Sequence, residues 1–242
     1  MVRFLFSARV DLELPTASSS CMDTALIIGA SGGIGGAIAN RLRQQSVNVT
    51  TLSRSQDGFD LTDPEIVDRT MAGVTGPFDL ILVAAGALEI NGATPEKTIR
   101  MLSAQAMMDQ FALNAVGPAL VLAHAARLLP RDQRAVFAVL SARVGSIGDN
   151  RLGGWISYRA SKAAVNQIVR TSAIELARTH KHAICVALHP GTVNTAFTRK
   201  YVGKHPAVEP DEAAQNLLSV AAALNSADTG GFFDWAGKPV PW

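Results

Sequence analysis

The sequence places Tyr158 and Lys162 four residues apart in Tyr-Arg-Ala-Ser-Lys, and on a helix that spacing puts both on one face. A phenol has a pKa of ~10, too high for easy proton exchange near neutrality. A nearby ammonium favours the phenolate and is expected to lower that pKa, so the pair is a candidate proton donor and acceptor. A second constellation is the glycine-rich string Gly29-Ala30-Ser31-Gly32-Gly33-Ile34-Gly35. It follows the apolar run Ala25-Leu26-Ile27-Ile28 and opens a helical pattern. In that context glycines let the backbone turn tightly and approach a pyrophosphate whose charge sits at a helix N-terminus. A third lies in Leu52-Ser53-Arg54-Ser55. An acidic residue there would take the ribose hydroxyls of NAD and repel a 2′-phosphate; Ser53 is neutral, and the Arg54 guanidinium suits a phosphate. This pattern predicts NADP(H) as cofactor.

These residues need a scaffold, and the text around them supplies one. From Thr24 onward, apolar runs alternate with helical patterns. Strands are expected at 25–28, 47–52, 78–84, 135–140, 184–188 and 232–234. Helices are expected at 33–45, 64–72, about 95–129, 157–179 and 210–224, with Pro118 bending or dividing the third of these. Continuous apolar strands separated by helices predict one doubly wound α/β domain with a mostly parallel sheet, covered on both faces. Residues 1–21 show no periodicity and end in Thr16-Ala17-Ser18-Ser19-Ser20, so a loose N-terminal tail is expected, with the domain at 22–242. Met22 is an alternative start.

The glycine spacing G-x-x-x-G-x-G resembles that of the short-chain dehydrogenase/reductase family, although Ile28 stands where the family usually has threonine. The resemblance covers residues 24 to 242. The segments Ser141-Ala142-Arg143-Val144-Gly145-Ser146 and Val240-Pro241-Trp242 look most like the C-factor-like branch, which is similar to small carbonyl reductases. The resemblance implies that Lys162 also holds the nicotinamide ribose and that Asn114 holds a water in the proton relay. It implies that Asp60-Leu61 contacts the adenine edge. In Pro190-Gly191-Thr192-Val193-Asn194-Thr195, the Val193 backbone and the Thr195 hydroxyl would bind the carboxamide, and His189 just before it reads as structural. Val83-Ala84-Ala85-Gly86 keeps the family's Ala-Gly pair but lacks its asparagines. The family's strand ends in Ser-Ser and its second serine polarises the substrate carbonyl; here Ala142 holds that place by its spacing to Tyr158. Three readings stay open: Ser141 reaches in by a small shift, Ser146 takes the role, or the site lacks this donor. The family also implies pairing through the helices that carry Asn114 and Tyr158, hence a homo-oligomer.

Bulk properties narrow the choice of partners. The chain has 242 residues with net charge +2, which gives no electrostatic case for nucleic acid or an acidic membrane surface. The basic run Arg199, Lys200, Lys204, His205 reads as a solvated loop, and Phe197 to Val208 reads as the lid. No stretch is expected to span a bilayer. Cys21 and Cys185 show neither disulfide nor metal-ligand spacing, so no metal and a cytoplasmic setting are expected. The expected reaction is hydride transfer between a nicotinamide and a carbonyl or alcohol carbon of a small molecule. Tyr158, Lys162, Asn114 and provisionally Ser141 would serve as catalytic residues. The alternative is a cofactor-binding signalling protein on the same fold. A sugar-nucleotide epimerase would need a larger C-terminal substrate domain.

Overall fold

The computed structural model describes residues 22–196, 198–201 and 207–242. The expected tail at 1–21, with Cys21, lies outside the described residues, as do Phe197 of the expected lid and Lys204 and His205 of the basic run. The chain runs through β1 (Thr24–Ile28), α1 (Gly33–Gln44), β2 (Asn48–Leu52), α2 (Arg54–Asp57), α3 (Pro64–Gly73) and β3 (Leu80–Val83). There follow α4 (Ala104–Phe111), a π-helical turn (Ala112–Val116), α5 (Gly117–Ala123), α6 (Ala125–Leu128), β4 (Ala135–Leu140) and a 3-10 turn (Arg143–Gly145). The chain continues through α7 (Ile156–Leu176), β5 (Ala183–His189), α8 (Pro210–Ala223) and β6 (Phe232–Asp234). The six strands form one all-parallel sheet in the order β2-β1-β3-β4-β5-β6.

Strands β1, β3, β4 and β5 are almost wholly apolar because the sheet is buried on both faces there, whereas the edge strand β2 carries Asn48, Thr50 and Thr51 and stays exposed or half-buried. Leu26, Ile28, Ile81, Val83, Phe137, Val139, Cys185 and Ala187 pack on one side with Val67 and Met71 of α3, Val121 of α5, and Val165 and Val169 of α7. Their alternate neighbours, Ala25, Ile27, Leu80, Leu82, Val136, Ala138, Ile184 and Val186, pack on the other side with Ile38 and Leu42 of α1 and Leu217 of α8. This is the doubly wound arrangement expected. Chain order reverses at β1, which has β2 on one side and β3 on the other. A crevice opens at such a switch point, outside the carboxyl ends of the strands.

The third helical region departs from expectation. The helix does not break at Pro118; it passes through the π turn, where the Gly117 N–H reaches back to Ala112 O. Proline has no N–H to give and its ring crowds the carbonyl four residues back, here that of Asn114. One extra residue in the turn absorbs that conflict. The helical region expected at about 95–129 thus runs from Ala104 to Leu128, interrupted by the π turn and at His124. A second correction concerns length: Ala104–Ala123 is long and apolar enough to cross a membrane. In this fold its Asn114, Ala115, Val121 and Leu122 are buried in the domain, and α4 and the π turn pack on α7.

Candidate active site

The switch-point cleft has a volume of about 360 Å³, within the usual range of small-molecule sites. It is lined by Gly29, Ser31, Gly32, Ser53, Arg54, Asp60, Leu61, Ala85 and Gly86, so nine of the expected cofactor residues meet there. Gly29 has φ +87°, and a Cβ on it would lie 2.8 Å from the Ala85 backbone nitrogen. Only glycine gives both that turn and that close approach. Gly33, Ile34 and Gly35 form the first turn of α1, so the helix N-terminus opens beside the cleft. The cradle fits a dinucleotide: a bare glycine turn, a helix N-terminus and a guanidinium stand along one crevice.

At the far end, Asp60 lines the cleft while its Oδ1 accepts from the Thr62 N–H (2.9 Å) and hydroxyl (2.7 Å). The Thr62 backbone bond holds the Asp60 carboxyl below its usual range against the opposing effect of burial; the Thr62 hydroxyl and the charge of Arg54 also lower it. Leu61 is buried, and Gly117 packs directly on it. Among the described residues, no cluster of His, Cys, Asp and Glu is placed to hold a metal ion.

The chemistry-bearing side chains sit where β3, β4 and α7 converge. Asn114 is fully buried on the π turn. Its Oδ1 accepts from Ala87 N–H (3.0 Å), and its Nδ2 donates to Ala87 O (2.9 Å) and Gln110 Oε1 (2.5 Å). The asparagine thus clamps the backbone just beyond Gly86. A Cβ on Gly86 would lie 2.8 Å from Asn114 Oδ1 and 3.4 Å from Lys162 Nζ, so the missing side chain lets these groups approach. Lys162 Nζ donates to Leu140 O (2.9 Å) and stands 5.8 Å from the Tyr158 ring centroid.

Burial, not charge pairing, dominates the two ionisations. Loss of water pushes the Tyr158 phenol above its ordinary value and holds the Lys162 ammonium down to about 8. Burial thus works against the lowering expected from the lysine, and the net shift of the phenol is upward. The ammonium is turned to the Leu140 carbonyl, and both side chains are almost wholly buried, which penalises each charged form.

Ser141 is turned toward α7. Its hydroxyl donates to Asn166 Oδ1 (2.6 Å), buried against α7, and a hydroxyl has one proton to give. Ser141 follows the inward alternation of Val139, and this side chain faces the helix. Ser146 is also buried, and its Oγ accepts the Asp149 N–H (3.1 Å). The remaining expected residues, Pro190, Gly191, Val193 and Thr195, follow β5 outside the cleft lining. They meet it through Thr195, whose Cγ2 would lie 2.8 Å from a Cβ on Gly33. Val193 is buried and bridged to Val208, and Gly191 packs against Trp235. His189 is held down to about 4, first by burial, then by repulsion from Arg143 against the pull of Asp234.

Several site residues carry no local signature. Glu96 is a buried carboxylate that accepts from the Ser157 N–H (3.3 Å) and, through Oε1, from the Ser157 hydroxyl; its backbone carbonyl accepts from Trp155 N–H (2.6 Å). It thereby caps the start of α7 from 61 residues away. Trp155 enters that helix at φ +52° and lies edge-on to Tyr158 (6.4 Å) and to Tyr201 (5.6 Å). Glu89 accepts from Lys200 (2.8 Å) and Tyr201, tying the segment after β5 across to the β3 loop. A cavity of about 10 Å³, room for one water, touches Glu96, Gln110, Ser157 and Tyr158. Asn166 was accessible to sequence reading, since it continues the four-residue spacing of Tyr158 and Lys162.

The chain is similar to known proteins of one family. A family model described as short chain dehydrogenase matches residues 58–205. The chain is 29% identical to a 1-hydroxy-2-glutathionyl-2-methyl-3-butene dehydrogenase of Rhodococcus sp. over 91% of this chain and 100% of that one. It is 31% identical to the C-signal protein of Myxococcus xanthus over 69% of this chain and 95% of that one. Among solved structures, a short-chain dehydrogenase/reductase from Burkholderia multivorans with bound NADP matches with a TM-score of 0.74 and 27% identity, covering 92% of this chain and 100% of that one. With the parallel sheet, the glycine cradle and the buried Tyr158–Lys162 pair in place, the chain belongs to the short-chain dehydrogenase family and is an oxidoreductase on its fold.

Proposed function

We propose that this oxidoreductase uses NADP(H) to reduce the carbonyl of a small molecule, or to oxidise the matching alcohol, with Tyr158 as the group that gives or takes the proton. The observation that carries the reading is the convergence of Tyr158, Lys162, Asn114 and Gly86 at the carboxyl ends of β3 and β4, beside the glycine cradle. A bound nicotinamide supplies the hydride and takes it back in the reverse direction.

The protein's own groups handle position and proton. Burial keeps the Tyr158 phenol protonated at neutral pH, ready to donate as charge grows on a carbonyl oxygen. Lys162 presents a charge near the ring and would hold ribose hydroxyls. Asn114 fixes the Ala87 backbone and acts as a positioning residue. Ser141 anchors the strand end to Asn166, and the carbonyl donor role is not assigned to it. The preference for NADP(H) rests on Arg54, exposed at the cleft and close enough to Asp60 to lower its pKa, and on the NADP bound in the Burkholderia relative.

A screen of aldehydes, ketones and quinones with NADPH and NADH, followed at the nicotinamide absorbance, tests this reading. At least one substrate should turn over, and Tyr158→Phe should lower that turnover by ~100-fold or more while NADPH affinity stays within ~3-fold. Near wild-type turnover in Tyr158→Phe would overturn it.

A further inference from the structure

The end of β2 shows no acidic residue in the sequence, yet the fold delivers one. The four-residue helix α2 is closed by Gly58 at φ +67°. The single turn of α2 brings Asp57 back over Ser53, four residues earlier: Asp57 Oδ2 accepts from the Ser53 N–H at 2.7 Å and from the Ser53 hydroxyl at 3.1 Å. Ser53 is buried to 2% exposure and lines the cleft beside Arg54. The carboxylate therefore takes both donors that Ser53 could offer to a phosphate. One oxygen does this, and Oδ1 is not engaged by Ser53.

We propose that Asp57 is a specificity-determining residue that weakens NADP(H) binding and so moderates the preference that Arg54 sets. The proposal rests on the cofactor reading above. A 2′-phosphate at the end of β2 is attracted by Arg54, while the Asp57 carboxylate holds the Ser53 donors and repels it. A ribose carrying only hydroxyls meets no such repulsion, because hydroxyls donate to a carboxylate. Arg54 and Asp57 thus act in opposite senses on one group of the cofactor.

The substitution Asp57→Asn separates charge from shape. An asparagine keeps an acceptor for the Ser53 N–H and hydroxyl, so the cap on α2 survives while the charge is removed. NADPH and NADH should be titrated by calorimetry into the wild type, Asp57→Asn and Arg54→Ala, with the melting temperature of each recorded. Asp57→Asn should tighten NADPH by ~10-fold or more and leave NADH within ~3-fold, corresponding to ~1.4 kcal/mol of removed repulsion. NADPH affinity unchanged or weakened in Asp57→Asn, at an unaltered melting temperature, overturns the proposal. The cofactor reading fails separately, if Arg54→Ala leaves NADPH affinity unchanged. Should the asparagine lower the melting temperature, Asp57→Ser supplies the same comparison with a smaller neutral side chain.

Discussion

Tyr158 and Lys162 lie almost wholly out of water, and their ionisations oppose each other's simple reading. The phenol is raised and the ammonium lowered to about 8, so near neutrality the pair is a protonated phenol beside a charged lysine. A cofactor ribose hydrogen-bonded to Nζ favours the ammonium and raises its pKa in the complex. The affinity gained that way is fully present below the free-enzyme value of about 8 and is lost as pH rises from there through the raised value in the complex. NADPH affinity is therefore expected to be level up to about pH 7 (roughly, one unit below the titration) and to weaken above about 8. Calorimetry across that range checks this, and Lys162→Met should lose both affinity and the slope. Ser141 makes a second residue-level case. Its proton is spent on Asn166, so Ser141→Ala should change turnover by less than ~3-fold, far from the ~100-fold of a lost oxyanion donor. It should cost stability by ~1 kcal/mol, the net worth of a hydrogen bond, read from denaturant unfolding.

At the scale of elements, α7 is the part that must be placed accurately, because Tyr158 sits in its first turn. Gly153, Gly154 and Trp155 all have positive φ, which turns the chain sharply into the helix. No side chain of the helix itself caps it. Glu96 does so from the β3–α4 connection, and Arg159 ties the entrance together through Gly154 O (2.9 Å) and Val144 O (3.3 Å). Glu96→Ala would leave the Ser157 N–H and hydroxyl buried without their acceptor. A loss of ~1–3 kcal/mol is expected, seen as a fall in melting temperature at ~2–4 °C per kcal/mol. Turnover should fall with it, since the ring of Tyr158 moves with the helix start; a stable, fully active variant would show that the cap is dispensable.

At the scale of the whole molecule, the two-faced sheet accounts for most of the apolar side chains, but some stay outside. Met108 and Val116, on α4 and the π turn, are 57% and 46% exposed, and Ile174 on α7 is 54% exposed. The α4–π-turn–α5 run packs beside α7. Exposed apolar groups on adjacent helices fit a homo-oligomer formed through those helices, which we infer for the protein in solution. Light scattering at micromolar concentration should give a mass at or above twice the 25.5 kDa chain. Val116→Lys together with Met108→Lys should shift it toward the single-chain mass.

The sequence by itself determined the frame. All six strands stand within a few residues of their expected places; for β1, β3, β4 and β5 the reason is that a strand buried on both faces is apolar at nearly every position, and that is a local property. The glycine turn and the Tyr158–Lys162 spacing were legible for the same reason: each acts over a few consecutive residues. What only the tertiary structure decided are the relations between distant segments. Glu96 meets Ser157 across 61 residues, and Asn114 meets Ala87 across 27, with no pattern in either stretch to announce it. The direction of Ser141 depends on which face of the sheet lies against α7. The raised phenol and lowered ammonium follow from burial, which no spacing encodes. Even the acid beside the end of β2 was in plain text as Asp57, but its charge reaches Ser53 because Arg54–Asp57 form one helical turn. Hydrogen bonding and desolvation act through space, so their partners are set once the chain has packed.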